Sequence, residues 1–271
     1  MADKKPKPAK SPKAGGGAKA FIGKALRIIG KTILGLFLFS ILWVLIYRFV
    51  PVPITMLQAT RCIEQISAGK PMKLQKDWEP IGKINNKLAL AVVCAEDQKF
   101  IEHYGFDVEA IEKAMEHNKK SKRTRGASTI SQQTAKNAFL WEGRTWLRKG
   151  LEVYFTFLIE LMWPKERIME VYLNIIEMGD GIYGAQAASK AYFKKDAIKL
   201  NAHEAALIAA ILPNPRKYSA IRPGAFVRGR QAWIVGQMAN HGGSLMYDEP
   251  DVPKPEKKRT GKNRDKDALK E

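Results

Sequence analysis

The sequence predicts a mainly α protein, with one membrane-spanning helix near its start and a helical domain after it. Three observations lead there. Residues 28–50 form an apolar run of membrane length, downstream apolar residues recur at three and four, and no stretch alternates convincingly with the period of two that marks a strand. A chain of 271 residues holds one domain of ordinary size plus appendages. Its net charge of +19 admits nucleic acid, anionic lipid or a phosphorylated substrate as partner. Placement narrows that choice: nine Lys/Arg among residues 1–31 face Asp3 alone, so much of the excess sits on a short arm ahead of the apolar run.

Residues 1–27, rich in Lys, Pro, Gly and Ala, are too polar to bury a core, and the arm up to Ala20 is expected to be disordered. Ile28 to Val50 carries charge only at Lys31 and Arg48, near enough to the ends to snorkel. As a helix it reaches roughly 35 Å, against about 30 Å of hydrocarbon. The run is long for a signal peptide and lacks a small-residue cleavage site, so it is read as an anchor. Trp43, Tyr47 and Arg48 suit the outer interface. The Lys-rich arm prefers the cytoplasm, which puts residue 51 onward outside it.

Pro51 and Pro53 end that helix. Residues 51–246 are expected to form the folded domain. Within its mixed opening, Ser67-Ala-Gly-Lys70 matches the S-x-x-K of acyl-enzymes, but no companion motif follows and the match is read as chance. Lys87 to Phe100 leads an apolar segment into Glu96-Asp97, and Phe106 to Asn118 has helical spacing. Lys119 to Arg125 is a basic run. Gly126 to Ser131 reads as flexible, with helix from Gln132. Lys149 to Trp163 is an aromatic, apolar helix, and Pro164 sits well at a first helical position. A glycine-punctuated turn runs into a small-residue helix ending near Phe193. Asn201 to Leu212 is an amphipathic helix and Ala225 to Asn240 the last. Residues 247–271 form a tail charged in both signs, expected to be disordered. Cys62 and Cys94 have neither metal nor redox spacing and are read as buried thiols, with a disulfide between them left open.

The chemistry concentrates between Ala95 and Asn137. Glu96, Asp97, Phe100 and His103 lie at helical spacing, so one carboxylate can face a cleft while Phe100 anchors the segment. Glu152 borders a second apolar helix, and two such acids can flank a glycosidic bond. Lys136, Arg144, Arg148 and Lys149 lie between them in sequence and suit phosphate oxygens. Sugar hydrolysis does not need so much positive charge, whereas a diphosphate leaving group does. The competing reading makes Arg148 and Glu152 a helix salt bridge and the cations solvated.

The segments AEDQKFIEHYGFD, RGASTISQQTAKN, RKGLE, KERIMEVYLNIIEMGDGIYGAQAASKAYF and NAHEAALIAAILPNPRKY resemble, in order and spacing, the motifs of peptidoglycan glycosyltransferases. The resemblance spans about residues 80–220, departs from the usual pattern at Ala127, and lacks a following transpeptidase domain, as in the monofunctional biosynthetic members. It implies a lysozyme-like glycosyltransferase domain with a small membrane-proximal subdomain. It also implies polymerisation of lipid II into β-1,4 glycan by inversion, releasing undecaprenyl diphosphate. Glu96 then resembles the general base and Glu152 the second essential acid. Lys136, Arg144 and Arg148 match diphosphate holders, with Lys149 in support. Ser128, Thr129, Gln132, Gln133 and Asn137 resemble the donor-site wall, and Asp97, Phe100 and His103 supports of the first motif. Phe139, Leu140, Trp141, Trp146 and Leu147 are candidates for the membrane-dipping subdomain. The expected cofactor is at most Mg2+ or Mn2+, held through the diphosphate near Glu152, with no organic cofactor. Expected partners are lipid II, the growing glycan, the bilayer and other cell-wall proteins, not nucleic acid. The expected location is the bacterial inner membrane, N-terminus cytoplasmic and catalytic domain periplasmic. A wall-cutting hydrolase or an anchored scaffold would leave the cations or the Glu-Asp pair unexplained.

Overall fold

The computed structural model describes residues 16–121, 126–143 and 145–242, with side chains from residue 21 onward. Expectations for residues 1–15, for the basic run at 122–125, for Arg144 and for the tail 247–271 lie outside the described residues. Helix α1 (Gly16–Phe49) starts well ahead of residue 28. Its early Ala, Lys, Leu and Arg residues are strong helix formers, and helix once nucleated propagates cheaply, so the basic segment after Gly16 is helical rather than disordered. Within it Phe21–Phe49, with mean hydropathy 2.2, is long and apolar enough to cross a membrane.

The C-terminal end of α1 is fastened to the domain. Trp163 donates its indole N–H to the Val44 carbonyl at 2.9 Å, and the Arg167 guanidinium donates to the carbonyls of Tyr47 at 2.8 Å and Val50 at 2.7 Å. Trp43 meets Phe139 edge-on at 5.3 Å, and Phe139 stacks on Phe155 at 4.8 Å. Trp43 and Tyr47 therefore dock the domain instead of merely marking an interface.

Two helices begin on signals overlooked in the sequence. α2 (Met56–Ser67) opens with a capping box: Thr55 Oγ1 accepts from Gln58 N at 3.2 Å while Gln58 Oε1 accepts from Thr55 N at 3.1 Å. α5 (Ile130–Phe139) repeats the device with Thr129 and Gln132, so residues expected to flex are its cap and first turn. The S-x-x-K match falls at the end of α2, where Ser67 Oγ donates back to the Ile63 carbonyl at 2.8 Å.

At the centre lies α3 (Asn86–Glu96), buried without interruption from Leu88 to Cys94. A helix apolar on every side needs neighbours on every side. They include α9 (Ala202–Ile211) and α10 (Ala225–Asn240). α9 is itself buried from Ala205 to Ile211, not amphipathic, because its polar residues are confined to its first turn. Around this centre stand α4 (Val108–Lys120), α6 (Trp146–Met162), α7 (Lys165–Ile175) and α8 (Ala185–Phe193). Pro164 is the cap before α7, one step earlier than expected. Cys62 and Cys94 are free thiols, and burial pushes Cys94 up to about 11.

A small sheet also forms, contrary to expectation. β1 (Gln75–Lys76) pairs parallel with β3 (Ile182–Tyr183), and β2 (Glu177–Gly179) pairs antiparallel with β3. Strands this short show no period of two; the Asp180-Gly181 turn was their only signal. Gly184 follows β3 at φ +85, where an added Cβ would lie 2.8 Å from the Asn174 carbonyl oxygen. Gly184→Ala is therefore expected to cost about 2 kcal/mol or more through strain and overlap. Thermal unfolding checks this, and an unchanged melting temperature would contradict the packing of α7 against α8.

Candidate active site

Glu96 is the last residue of α3 and emerges at the edge of the core as the sequence suggested. Its Oε2 accepts from Gln133 Nε2 at 3.1 Å, and its Oε1 lies 3.3 Å from an Arg230 guanidinium nitrogen on α10. Burial pushes the carboxyl above the usual carboxylate range. The Gln133 hydrogen bond and the Arg230 charge oppose that rise, and Asp97 adds to it. The negative end of α3 acts in the same upward direction. A carboxylate so placed is a stronger base than one in water.

Asp97 faces the other way. One oxygen accepts from the Ile130 backbone N–H at 2.9 Å, at the positive end of α5, and the other meets His103 Nε2 at 2.8 Å. α3 ends at Glu96, and residues 98–101 form turns, so Glu96, Asp97, Phe100 and His103 do not share a helix. The chain departs from helix there because Asp97 bonds to α5. Behind them Phe100 is fully buried, with Lys165 Nζ 4.7 Å from its ring centre. Lys165 also donates to the His103 carbonyl at 2.6 Å and to Glu160 at 2.7 Å, and Glu160 accepts from Ser131. Asp97, Phe100 and His103 thus brace the segment between α3 and α5.

The cationic cluster forms on α5 and α6. Glu152 is buried, its oxygens taken by Arg148 at 3.1 Å and Lys149 at 2.6 Å. Lys136 is held below the ordinary lysine range by burial and by Arg148 and Lys149, with Glu152 pulling the other way. Its ammonium forms no ion pair among the described residues. Gln133 and Lys136 are three apart on α5 and so share a face. One helix thus carries both the partner of Glu96 and the cation in the field of Glu152.

The remaining candidates divide. Gln133 reaches the centre, and Asn137 is buried with its amide nitrogen unpartnered. Thr129 and Gln132 are buried in the cap of α5, with Thr129 Oγ1 donating to the Gly105 carbonyl at 2.7 Å, so they shape the wall from behind and do not line it. Ser128 is exposed. Phe139 and Leu140 belong to the core because the end of α5 packs on α6, while Trp141, Trp146 and Leu147 are exposed. Arg230 was missed, since nothing local distinguishes it from other cations on α10. The Mg2+ or Mn2+ expected near Glu152 does not fit as a protein-held ion. Both Glu152 oxygens face cations, and among the described residues no three His, Cys, Asp or Glu side chains converge.

These shifts have a sign. A carboxyl raised on folding makes ionisation a burden on the folded state, present above its folded value and absent below the ordinary carboxylate range. Glu96→Gln is therefore expected to raise the melting temperature at pH 8 relative to the parent, with the gap closing on acidification. Calorimetry across pH tests this; a gap independent of pH would contradict it. Arg230→Gln should move the Glu96 titration, followed by carboxylate infrared absorption, further upward.

Comparison with known proteins agrees with this geometry. The transglycosylase family model matches residues 61–239. A biosynthetic peptidoglycan transglycosylase of Bdellovibrio bacteriovorus is 54% identical over 78% of this chain and 84% of its own. Proteins of the same description from Stutzerimonas stutzeri and Pseudomonas syringae are 53% and 52% identical over 80% of this chain, and over 89% and 92% of their own. With both the model and relatives of this identity covering most of its length, the chain belongs to the transglycosylase family of peptidoglycan glycosyltransferases.

Proposed function

We propose that this peptidoglycan glycosyltransferase polymerises lipid II at an outer membrane face by inverting transfer, with Glu96 as general base. Glu96 takes the proton from the acceptor's 4-hydroxyl as that oxygen attacks the anomeric carbon of the lipid-linked donor. The bond from that carbon to the diphosphate oxygen breaks on the opposite face, which converts an α-linked donor into a β-1,4 linkage. Undecaprenyl diphosphate leaves with the bonding electron pair.

One observation carries the reading: Gln133 and Lys136 on a single face of α5 join the base to the cationic cluster. The raised Glu96 carboxyl suits proton abstraction near neutral pH. Arg148 and Lys149 are ready to exchange Glu152 for diphosphate oxygens as negative charge develops, and Lys136, which forms no ion pair among the described residues, is ready to join them. Glu152 keeps the two cations aimed until the donor arrives. No step runs through a metal. A hydrolase would leave Lys136 buried at a cost with nothing to stabilise.

Membrane placement supports the same substrate. Ser40 and Tyr154 share a hydrogen bond at 2.7 Å, while Val44, further along α1, accepts from Trp163, further along α6. The two helices therefore run in the same sense, and the start of α6, with exposed Trp146 and Leu147, extends on the side of the apolar span. Exposed Val153, Phe157 and Leu161 continue an apolar stripe at intervals of four. Polyprenyl tails would enter along this face. The Lys-rich arm supports a cytoplasmic N-terminus, with the domain beyond the inner membrane.

Purified protein given lipid-linked disaccharide-peptide should make long glycan, and Glu96→Gln should lower that rate by about two orders of magnitude or more. Near-parental turnover would remove Glu96 from the mechanism. Lys136→Ala should chiefly weaken donor engagement; unchanged donor kinetics would contradict the clamp. A reporter enzyme active only outside the cytoplasm, fused after residue 240, should be active, and an inactive fusion in expressed protein would reverse the orientation.

A further inference from the structure

A cavity of about 780 Å³, not lined by Glu96, lies between the C-terminal half of α2, residues 68–73, the β2–β3 turn and the turn after α9. Its wall brings Arg61, Lys70, Lys73, Arg216 and Lys217 together against Glu64 and Asp180. Both acids are already paired: Glu64 with Arg61 at 2.7 Å, Asp180 with Lys73 at 2.9 Å and Arg216 at 3.8 Å. Lys70 and Lys217 form no ion pair among the described residues. The cavity therefore holds uncompensated positive charge.

The fold gathers these cations deliberately close. The Lys73 N–H donates to Gln65 Oε1 at 2.6 Å, which pins the segment after α2 against that helix. Gly181, at φ +73, sits where an added Cβ would come within 2.6 Å of the Lys73 carbonyl oxygen, so only glycine lets the β2–β3 turn close over it. The volume suits an organic ligand rather than a single ion. No aromatic side chain lines the wall, so the surface offers charge recognition without a platform for a sugar face. Arg61 also pairs with Glu142 at 2.8 Å, and Glu142 lies in the field of Lys136. The Arg61–Glu142 pair thus ties the cavity wall to the segment just after α5, the helix that carries Lys136.

We propose that this cavity receives the carboxylates of the peptide branches borne by the glycan substrate. The inference rests on the polymerase reading above, since such branches bring carboxylates attached to the sugar that occupies the neighbouring groove. Charge-assisted hydrogen bonds from Lys70, Lys217 and Arg216 would hold them, and a peptide docked there would fix how its sugar enters the clamp.

The test uses the full chain in detergent and soluble disaccharide-peptide without lipid or diphosphate, with binding read by titration calorimetry. Amidating the peptide carboxylates is expected to weaken binding at least tenfold. So is the double change Lys70→Ala and Lys217→Ala, whose side chains lack ion pairs; circular dichroism checks its fold. Equal affinity for amidated and free peptide overturns the proposal without any variant. So does a double variant that keeps peptide binding but loses binding to phosphatidylglycerol vesicles, which would make the cavity a headgroup site. These readouts need no turnover, so failure of the parent protein to make glycan from the lipid-linked donor would overturn the polymerase reading while leaving the cavity result legible.

Discussion

The bond from the Ile130 N–H to Asp97 is the constraint on which the site depends. It ties the start of α5 to the residue after the end of α3, and so fixes the distance between the base and everything α5 carries. A carboxylate at a helix N-terminus is favourable by charge as well as by hydrogen bond. His103 holds the other oxygen, and Lys165 and Phe100 hold His103's segment. With both its oxygens so held, Asp97 cannot turn toward the cleft, and the two adjacent acids make different contacts. Glu96 lies at the edge of the core, where the proposed reaction needs its base, and Asp97 faces inward to build.

The electrostatics follow from that frame. Glu96 is raised by burial and Lys136 lowered by burial, each paying a desolvation penalty for a charge it needs. In the proposed reaction a donor with a diphosphate would relieve the second penalty, and the proton taken up by Glu96 would relieve the first. Glu152, by contrast, is already satisfied by Arg148 and Lys149. The helix salt bridge weighed as a rival to catalysis is thus present in the structure. It is compatible with the proposed clamp, because what holds the cations in place at rest would also aim them at the leaving group.

Much of this was legible in the sequence where a signal is local. The apolar run of α1, the bounds of α10 and the emergence of Glu96 from a buried segment all follow from patterns a few turns long. The caps of α2 and α5 were equally local, as Thr-x-x-Gln, although the small residues from Gly126 to Ser131 read as flexible. The sheet lay below the length at which alternation can be counted. Arg230 was illegible for a different reason: it reaches Glu96 only because α10 packs on α3, and no spacing announces a contact made by tertiary packing. Phe139 and Leu140 show the same limit, being apolar residues whose burial depends on what α6 brings beside them.

The central claim is that one face of α5 holds base and leaving group in a common groove. A structure with a non-transferable lipid diphosphate donor and an acceptor sugar tests it most directly. The account expects the diphosphate on Lys136 and Arg148, and the acceptor 4-hydroxyl within about 3 Å of Glu96 on the Gln133 side of α5. A diphosphate seated away from Lys136, or an acceptor oxygen out of reach of Glu96, would contradict it.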